Sequence, residues 1–289
     1  MKQATYHIGG MYLSMRGGDT LERLHSLVGM STFRVSSCEA DEYVCLDEEV
    51  VVPSDALVLS RFDFQDEEGD CTFCRRGDDY YFAIEGKNEQ VSLHHRKDSH
   101  LVSCSSTGKA SFLRYMMWMS YSLLAMPTLA SPIHSSVLVH RGEAVLFLGD
   151  SGIGKSTHTR LWGEHIEDVH LLNDDSPIVL ARPYHIEVYG SPWSGKTACF
   201  HQRCFPIRAI VRLSQAKENK MERLTKRMLA FGALHPSLPP SLAQDEYYGD
   251  KIVAMVNRLV EKVPVYHLSC LPNVDAALLC HSVIYPENE

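Results

Sequence analysis

A glycine-rich loop that ends in lysine, serine and threonine is the part of this sequence with the clearest chemical meaning. It follows an apolar segment, residues 145–148, and has the spacing G-x-x-x-x-G-K-S. Glycines let the backbone turn tightly, so that N–H groups can point at phosphate oxygens, and a helix that starts at the lysine adds its positive dipole end. The spacing therefore predicts a Walker A loop for a nucleoside triphosphate. Its residues are Gly149, Asp150, Ser151, Gly152, Ile153, Gly154, Lys155, Ser156 and Thr157.

Two side chains of this loop have distinct expected roles. Lys155 is predicted to reach the β- and γ-phosphates, and the Ser156 hydroxyl is predicted to bind Mg²⁺. The residues after the loop, beginning with Thr157, read as the first turns of a helix, which is the setting that the motif needs. The sequence thus predicts ATP and Mg²⁺ as the bound groups.

A pair of adjacent carboxylates follows the next apolar segment. Asp174 and Asp175 end a predicted strand at residues 169–175. Because successive strand residues point to opposite sides, the two carboxylates should have different tasks. One is expected to hold the metal, and the other to accept the proton of an acceptor hydroxyl. The alternative is that Asp175 only caps the following turn beside Ser176.

The elements around these residues predict an α/β protein with two domains. Residues 1–108 read as a small, antiparallel, β-rich domain, and residues 109–289 as a P-loop domain with a mixed sheet. A helix is expected over residues 111–126, where Pro127 ends it. A hairpin with a turn at Arg141-Gly142 is expected to lead into the phosphate loop.

Helical patterns are also expected in the last third of the chain. One helix would place Met221, Leu224, Met228 and Phe231 on one face. A second would bury Ile252, Met255, Val256 and Leu259. A strand near Val265 and a helix after Asn273 complete the prediction.

These motifs together resemble the superfamily of HPr kinase/phosphorylase and ATP-dependent phosphoenolpyruvate carboxykinase. The resemblance is carried by His134-Ser135-Ser136, the loop at residues 149–157, the segment Leu171-Leu172-Asn173-Asp174-Asp175, the loop at residues 190–196 and the strand at residues 209–213. It is closest to the HPr-kinase-related, serine-kinase-like branch, and it covers roughly residues 110–289. The first hundred residues contribute nothing to it.

The resemblance implies an ATP- and Mg²⁺-dependent kinase that phosphorylates a hydroxyl, with serine, free or in a peptide or small protein, as the acceptor. It implies that Ser156 and Asp174 hold the metal, that Asp175 is the base, and that His134 lies near the metal and the phosphates. Lys196, Arg203, Arg208 and Arg212 are cations that could bind an anionic acceptor or the transferred group. For Arg212, a solvated position on a strand face is the preferred interpretation.

The chain also departs from the family pattern. Residues 199–206 stand where HPr kinases carry a glycine- and acid-rich signature, so neither HPr as acceptor nor phosphorylase activity is carried over. No convincing set of arginines and lysine for oxaloacetate is found, which disfavours a carboxykinase. Two alternatives stay open: a sensor or scaffold that binds ATP without transferring phosphate, and a carboxykinase-like lyase.

Charge and cysteine content limit the other classes of partner. A net charge of −8 gives no basic footprint for nucleic acid or for an anionic membrane surface. Nine cysteines and an N-terminus with no apolar leader predict reduced thiols and a cytoplasmic protein. Cys71 and Cys74 with His94 and His95 could form a zinc site, although the spacing of the two pairs is loose. A homo-oligomer is compatible with the sequence, which does not decide the oligomeric state.

Overall fold

The chain is an α/β protein that divides into two compact units. The computed structural model describes residues 2–36, 38–64, 68–106, 108–195 and 197–286. One unit comprises Met1–Thr128 and Ser241–Gly249, and the other comprises Leu129–Pro240 and Asp250–Glu289. Each unit contains a mixed β-sheet and helices.

The sheet of the first unit has the order β3-β1-β2-β4-β9-β8-β7-β6-β5. Its strands are β1 (Lys2–Ile8), β2 (Met11–Gly17), β3 (Arg34–Val35), β4 (Glu42–Cys45), β5 (Leu57–Phe64), β6 (Gly69–Arg76), β7 (Asp79–Gly86), β8 (Gln90–Arg96) and β9 (Leu101–Ser106). Most pairs are antiparallel, but β2 with β4 and β4 with β9 are parallel. The expectation of an antiparallel domain is therefore wrong at these two pairs, since the chain returns to the middle of the sheet through α1 (Asp19–His25) and loops rather than through a hairpin.

Helix α2 (Ala110–Ala125) belongs to the first unit. Five of its apolar residues, Phe112, Leu113, Met116, Met117 and Met119, are at most 1% exposed. The helix contacts β7, β8 and β9. The division at residues 128/129 therefore differs from the boundary predicted at 108/109, because the helix that follows the strands buries its apolar side on their sheet.

The sheet of the second unit has the order β10-β14-β15-β16-β12-β11-β13, with β18 beside β16 and β17 beside β18. Its strands are β10 (Ala130–Pro132), β11 (Ser135–His140), β12 (Glu143–Leu148), β13 (Val169–Asp175), β14 (Ile178–Arg182), β15 (His185–Tyr189), β16 (Cys204–Gln215), β17 (Lys220–Arg223) and β18 (Val265–Cys270). Strands β12, β16 and β18 are parallel to one another. Their carboxyl ends therefore meet at one edge of the sheet.

The predicted hairpin leads into this edge. Strands β11 and β12 pair antiparallel through the two-residue turn Arg141-Gly142. Both turn residues have positive φ, 52° and 78°, as a tight hairpin turn with the twist of its strands requires. Strand β13 pairs with the other side of β11, so that the ends of β12 and β13 lie on either side of the start of β11.

Four helices complete the second unit: α3 (Lys155–His165), α4 (Arg227–Leu234), α5 (Glu246–Lys262), whose first turn belongs to the first unit, and α6 (Val274–Ile284), all within the described residues. Helices α3 and α6 contact each other. Phe147, Trp162, Val211, Leu268 and Cys280 are members of one buried cluster between these helices and the sheet. Ile252, Met255, Val256 and Leu259 are fully buried on α5, as the periodicity predicts.

One predicted helix is wrong. Met221 lies in strand β17, which pairs with β18, and α4 begins only at Arg227. Met228 is 81% exposed, so the expected apolar face does not exist. Among the described residues, no helix is both long enough and apolar enough to cross a bilayer.

Candidate functional site

The glycines of the Walker A loop leave an open cradle. Gly152 and Gly154 have φ values of 78° and 113°, which other residues rarely adopt. A Cβ atom built on either would have no heavy atom of the described residues within 4 Å, so none of these residues fills the space in front of the two glycines. The backbone of the loop is therefore open on this side, as the binding of a phosphate chain requires.

The start of helix α3 adds a positive potential to this cradle. Gly154 is the N-cap residue, and no side chain accepts a hydrogen bond from the first turn there. The first turn carries no acidic side chain that would neutralise the dipole. The free N–H groups of the helix start are therefore available to an anion.

Lys155 folds back over the loop. Its Nζ donates to the carbonyl oxygens of Gly149, at 2.8 Å, and Asp150, at 3.3 Å, and to Nε2 of His134, at 2.8 Å. Burial lowers the pKa of Lys155, whereas the carboxylates of Asp175, Asp174 and Asp150 act in the opposite direction. An ammonium group thus lies at the edge of the cradle and within the field of three carboxylates.

His134 connects this lysine to Asp175. The backbone N–H of His134 donates to the Ser237 carbonyl at 2.7 Å, immediately before β11 begins. Since an ammonium has only donors, Nε2 must accept from Lys155, which leaves the ring proton on Nδ1. That Nδ1 lies 3.3 Å from Oδ1 of Asp175. The three side chains therefore form a continuous chain from the loop to the end of β13.

The two aspartates at the end of β13 have different surroundings. Asp174 is 5% exposed, and its carboxylate accepts hydrogen bonds from the hydroxyls of Ser136, at 2.5 Å, and Ser156, at 3.2 Å. The side chain of Asp175 is 38% exposed and contacts His134 and the Ser176 hydroxyl. As strand alternation predicts, one carboxylate lies among buried hydroxyls and the other reaches solvent.

The loop at residues 190–195 holds the backbone at the end of β13. The sequence analysis predicts no such positioning role for it. Asn173 is fully buried, and its amide donates to the Trp193 carbonyl at 3.1 Å and accepts from the backbone N–H of Ser176 at 3.0 Å. The Gly195 N–H donates to the Asp174 carbonyl at 2.5 Å. A buried asparagine within an apolar strand is the signal that could have revealed this, since buried polar groups need partners.

Asp175 has an unusual backbone conformation where the strand ends. Its φ of 154° lies in a region that L-residues rarely occupy. The residue also forms an isolated bridge with Ser194. The loop at residues 190–195 therefore sets the direction in which the exposed carboxylate points.

Arg212 is a residue that the sequence interpretation placed in solvent and the structure places at the loop. Its Nη2 donates to Oδ1 of Asp150 at 2.7 Å. In the sheet, Arg212 pairs with Leu148, the last residue before the loop. The guanidinium therefore braces the loop, although the exposure of Asp150 limits the energy of that pair.

Arg203 and Arg208, two of the other predicted cations, are not brought to the loop. Arg208 donates from Nε and Nη2 to the Ile284 carbonyl, at 3.3 and 3.2 Å, near the start of β12 rather than its end. The Arg203 guanidinium lies over the Phe205 ring, 5.3 Å from its centroid. Lys196 lies outside the described residues.

The position of Cys71 and Cys74 on one strand does not support the predicted zinc site. Cys71 and Cys74 are three positions apart on β6, which points their side chains to opposite faces of the sheet. Within the described parts of the chain, no cluster of three or more His, Cys, Asp or Glu side chains could hold a metal ion.

Comparison with known proteins assigns no family and no function to this site. The chain matches no protein-family model, and a search of the curated proteins returns no match. The site itself is therefore the basis of any functional conclusion.

Proposed function

We propose that this chain is an ATP- and Mg²⁺-dependent kinase with a P-loop core of the HPr-kinase type, which transfers a γ-phosphoryl group to a hydroxyl acceptor. The observation that carries the proposal is the convergence of Lys155, Ser156, His134, Asp174 and Asp175 at one edge of the sheet. Phosphoryl transfer needs the phosphates held, their charge neutralised and the acceptor positioned. These side chains can meet all three needs.

The residues present fit a nucleoside triphosphate. The open cradle at Gly152 and Gly154, the uncapped start of α3 and the ammonium of Lys155 all favour a polyanion at the same place. Among the described residues, no carboxylate accepts a hydrogen bond from Lys155, so its donors can turn from carbonyls and His134 to phosphate oxygens.

The metal ligands fit Mg²⁺ through their chemistry. Ser156 and Asp174 supply oxygen atoms that are already 3.2 Å apart, and hard divalent cations prefer oxygen ligands. When bound, Mg²⁺ would neutralise charge on the phosphate oxygens. The Ser136 hydroxyl would keep the Asp174 carboxylate oriented, because its hydrogen bond takes one of the oxygens.

Asp175 is then the base. Its exposed carboxylate can accept the proton of the acceptor hydroxyl while that oxygen forms a bond to the γ-phosphorus and the bond from the γ-phosphorus to the β,γ-bridging oxygen breaks. The products are a phosphate ester and ADP. His134 is a positioning residue here, since its Nδ1–H holds Asp175 and its Nε2 holds Lys155.

Serine, free or in a peptide or small protein, is the acceptor class that we propose. Lys196 follows directly after the loop that holds β13, and its role toward an anionic acceptor stays a prediction. The positions of Arg203 and Arg208 give no argument for contact with an acceptor at this edge.

Two variants test the proposal with γ-labelled ATP, Mg²⁺ and a panel of free serine, serine peptides and cell extract. Lys155→Ala should reduce ATP affinity by about a hundredfold, because it removes a charged partner of the phosphates. Asp175→Asn should leave ATP affinity within about threefold of the wild type and lower turnover by about a hundredfold or more, because it removes only proton acceptance.

The control is Arg208→Lys, which alters a predicted cation far from the loop and should retain both binding and transfer. Label transfer by Asp175→Asn at the wild-type rate would show that this carboxylate is not the base. Tight ATP binding by the wild type with no labelled product from any acceptor would favour the sensor or scaffold alternative.

A further inference from the structure

A cavity of about 360 Å³ lies against the Walker A loop, apart from the catalytic side chains. Its walls include Gly152, Gly154 and Thr157, but not Lys155, Ser156 or Asp174. Consecutive helix residues are rotated by about 100°, so Thr157 faces a different direction from Ser156, which faces the metal ligand Asp174. The loop therefore has a metal side and a cavity side.

The cavity lies at the carboxyl ends of β16 and β18. These strands are parallel, and Gln215 pairs with Cys270 where they end. Ligands of α/β sheets bind in crevices outside the carboxyl ends of parallel strands. The apolar wall is formed by Ile153, Leu161, Leu213, Leu271 and Pro272. Gln215 adds one amide with both donor and acceptor atoms.

His158 adds a polar group to this wall. It is 3% exposed, and its Nε2 accepts from Nε1 of Trp162 at 3.2 Å. Indole N–H is only a donor, so the proton of the neutral ring is on Nδ1. No acceptor for that N–H is found among the described residues. Burial lowers the pKa of His158 to about 4, which keeps the ring neutral at pH 7.

We propose that this cavity is the nucleoside subsite of the triphosphate site. The inference rests on the proposed function, because it assumes a triphosphate in the loop. The transferred end of that chain belongs on the side of Lys155 and Asp174, so the opposite end leads past Thr157 into the cavity. Leucines and Pro272 contact the base, and the Nδ1–H of His158 and the Gln215 amide bind polar atoms of the nucleoside. The volume is within the range of small-molecule pockets, roughly 300–1,000 Å³.

A variant that fills the cavity distinguishes the contribution of the nucleoside to ATP binding from that of the phosphates. Ala216 lines the cavity, so Ala216→Phe should weaken ATP binding by about tenfold or more. The same variant should bind inorganic tripolyphosphate as the wild type does, since the loop is unchanged. Both affinities are measured by calorimetry with Mg²⁺. Lys217→Phe is the matched control, because this exposed neighbour lies outside the cavity and should leave the ratio of the two affinities unchanged.

Thiol labelling of the wild type gives a second readout that needs no variant. Cys270 lines the cavity, whereas Cys38 and Cys204 are exposed elsewhere and serve as internal standards. Burial raises the pKa of Cys270, so labelling is done at pH 8.5–9 with excess maleimide. ATP should slow the labelling of Cys270 at least fivefold relative to the two standards, and tripolyphosphate should not.

The outcomes separate the two proposals. Unchanged ATP affinity of Ala216→Phe together with equal labelling of Cys270 with and without ATP would overturn the nucleoside subsite and leave the phosphate loop intact. Absence of binding of both ATP and tripolyphosphate to the wild type would overturn the proposed function and the subsite with it. If Ala216→Phe does not fold, the labelling of Cys270 decides alone.

Discussion

Two neighbouring aspartates of the same chemistry have different surroundings. Asp174 is enclosed by two serine hydroxyls, and Asp175 is open to solvent beside a histidine. A metal ligand must be held in place, and a base must reach its substrate. The environment of each carboxylate therefore supports the order of roles that we propose, with Asp174 on the metal and Asp175 on the acceptor.

The metal role of Asp174 predicts a specific dependence on Mg²⁺. Asp174→Asn keeps the size of the side chain and an acceptor for Ser136 and Ser156, but it removes the charge that binds the cation. The Mg²⁺ concentration for half-maximal label transfer should rise by about tenfold or more. Asp175→Asn is the control, and the affinity for Mg²⁺ in the presence of ATP should stay near the wild-type value. Equal Mg²⁺ dependence of both variants would contradict the division of roles.

The lowered pKa of His158 predicts that acid destabilises the fold within a defined range of pH. Its pKa is about 4 in the folded protein and near 6.5 when unfolded, so the unfolded state binds the proton more readily. The free energy of unfolding should therefore fall as pH drops from 6.5 toward 4, by about 3 kcal/mol from this group. Urea unfolding at intervals of pH measures the effect.

His158→Gln is the matched variant for that measurement. Glutamine can still accept from Trp162 but does not titrate. The difference in the pH dependence of unfolding between wild type and variant isolates His158 from other histidines whose pKa burial also lowers, such as His95 and His281. Parallel curves for the two proteins would rule out this contribution.

At the scale of residues, a local motif is enough to predict on which loop or strand end a side chain lies. Lys155, Ser156 and the Asp174-Asp175 pair could be predicted because their spacing along the chain fixes their place on a loop or a strand end. Arg208 and Arg212 could not be distinguished in this way. Only the pairing of β16 with β12 places Arg212 at the loop and Arg208 at the other end of the strand.

At the scale of elements, strand β12, the loop and helix α3 form one continuous phosphate-binding element. The hairpin turn at Arg141-Gly142 fixes the register of β11 and β12, and the pairing of β11 with β13 then brings Asp174 opposite Ser136. A slip of one residue in that register would exchange the faces of both aspartates. The geometry of the site therefore depends on a two-residue turn at the far end of the hairpin.

Two glycines of this element should respond oppositely to alanine. Gly152 has a φ of 78° and Gly163 lies within α3. A Cβ on either would meet no heavy atom of the described part of the chain within 4 Å. Gly152→Ala should lower the free energy of unfolding by about 1–2 kcal/mol through the left-handed backbone alone. Gly163→Ala should raise it by about 0.5–1 kcal/mol, because alanine favours the helix. Thermal unfolding of both variants checks the signs, and a stabilising Gly152→Ala would contradict the loop conformation.

The elements predicted from the sequence were those with a strong period or a clear boundary. The hairpin, α3 and α5 are where the pattern places them, and Asn273 caps α6. The helix expected around Met221 is instead a strand and a shorter helix. A short apolar run fits the period of a helix as well as that of a strand. Here the pairing of β17 with β18 favours the strand, through contacts that the local pattern does not encode.

At the scale of the whole molecule, the first unit is completed by a segment far along the chain. Asp245, in the segment Ser241–Gly249, has a fully buried carboxylate. It accepts from the Tyr80 hydroxyl at 3.0 Å and pairs with Arg75 at 3.1 Å, and it also accepts from the backbone N–H of Tyr248. The segment is thus fixed to β6 and β7 by a buried polar network.

This network predicts a large loss of stability on truncation. Asp245→Ala should lower the free energy of unfolding by about 3–5 kcal/mol, because it leaves Arg75 and Tyr80 without their partner. Tyr80→Phe removes a single hydrogen bond and should cost only about 1 kcal/mol. Urea unfolding compares the two variants, and similar losses would show that the ion pair adds nothing beyond the tyrosine.

The boundary predicted from the sequence and the division by contacts place helix α2 on different sides. The sequence predicts a boundary at 108/109, just before the helix expected over residues 111–126, but α2 packs on the strands before it. The return of residues 241–249 has no local signal, because Tyr248 and Asp245 read as ordinary parts of a helix start. Such a return is encoded only in long-range contacts.

The discontinuous first unit has a consequence for how the protein is made. A ribosome synthesises the N-terminal strands and α2 long before it reaches Tyr248 and Asp245. Domains that are contiguous in sequence can fold as they emerge. Here the polar partners of Arg75 and Tyr80 in the sheet are synthesised only when residues 241–249 have been translated, more than 160 residues after Tyr80.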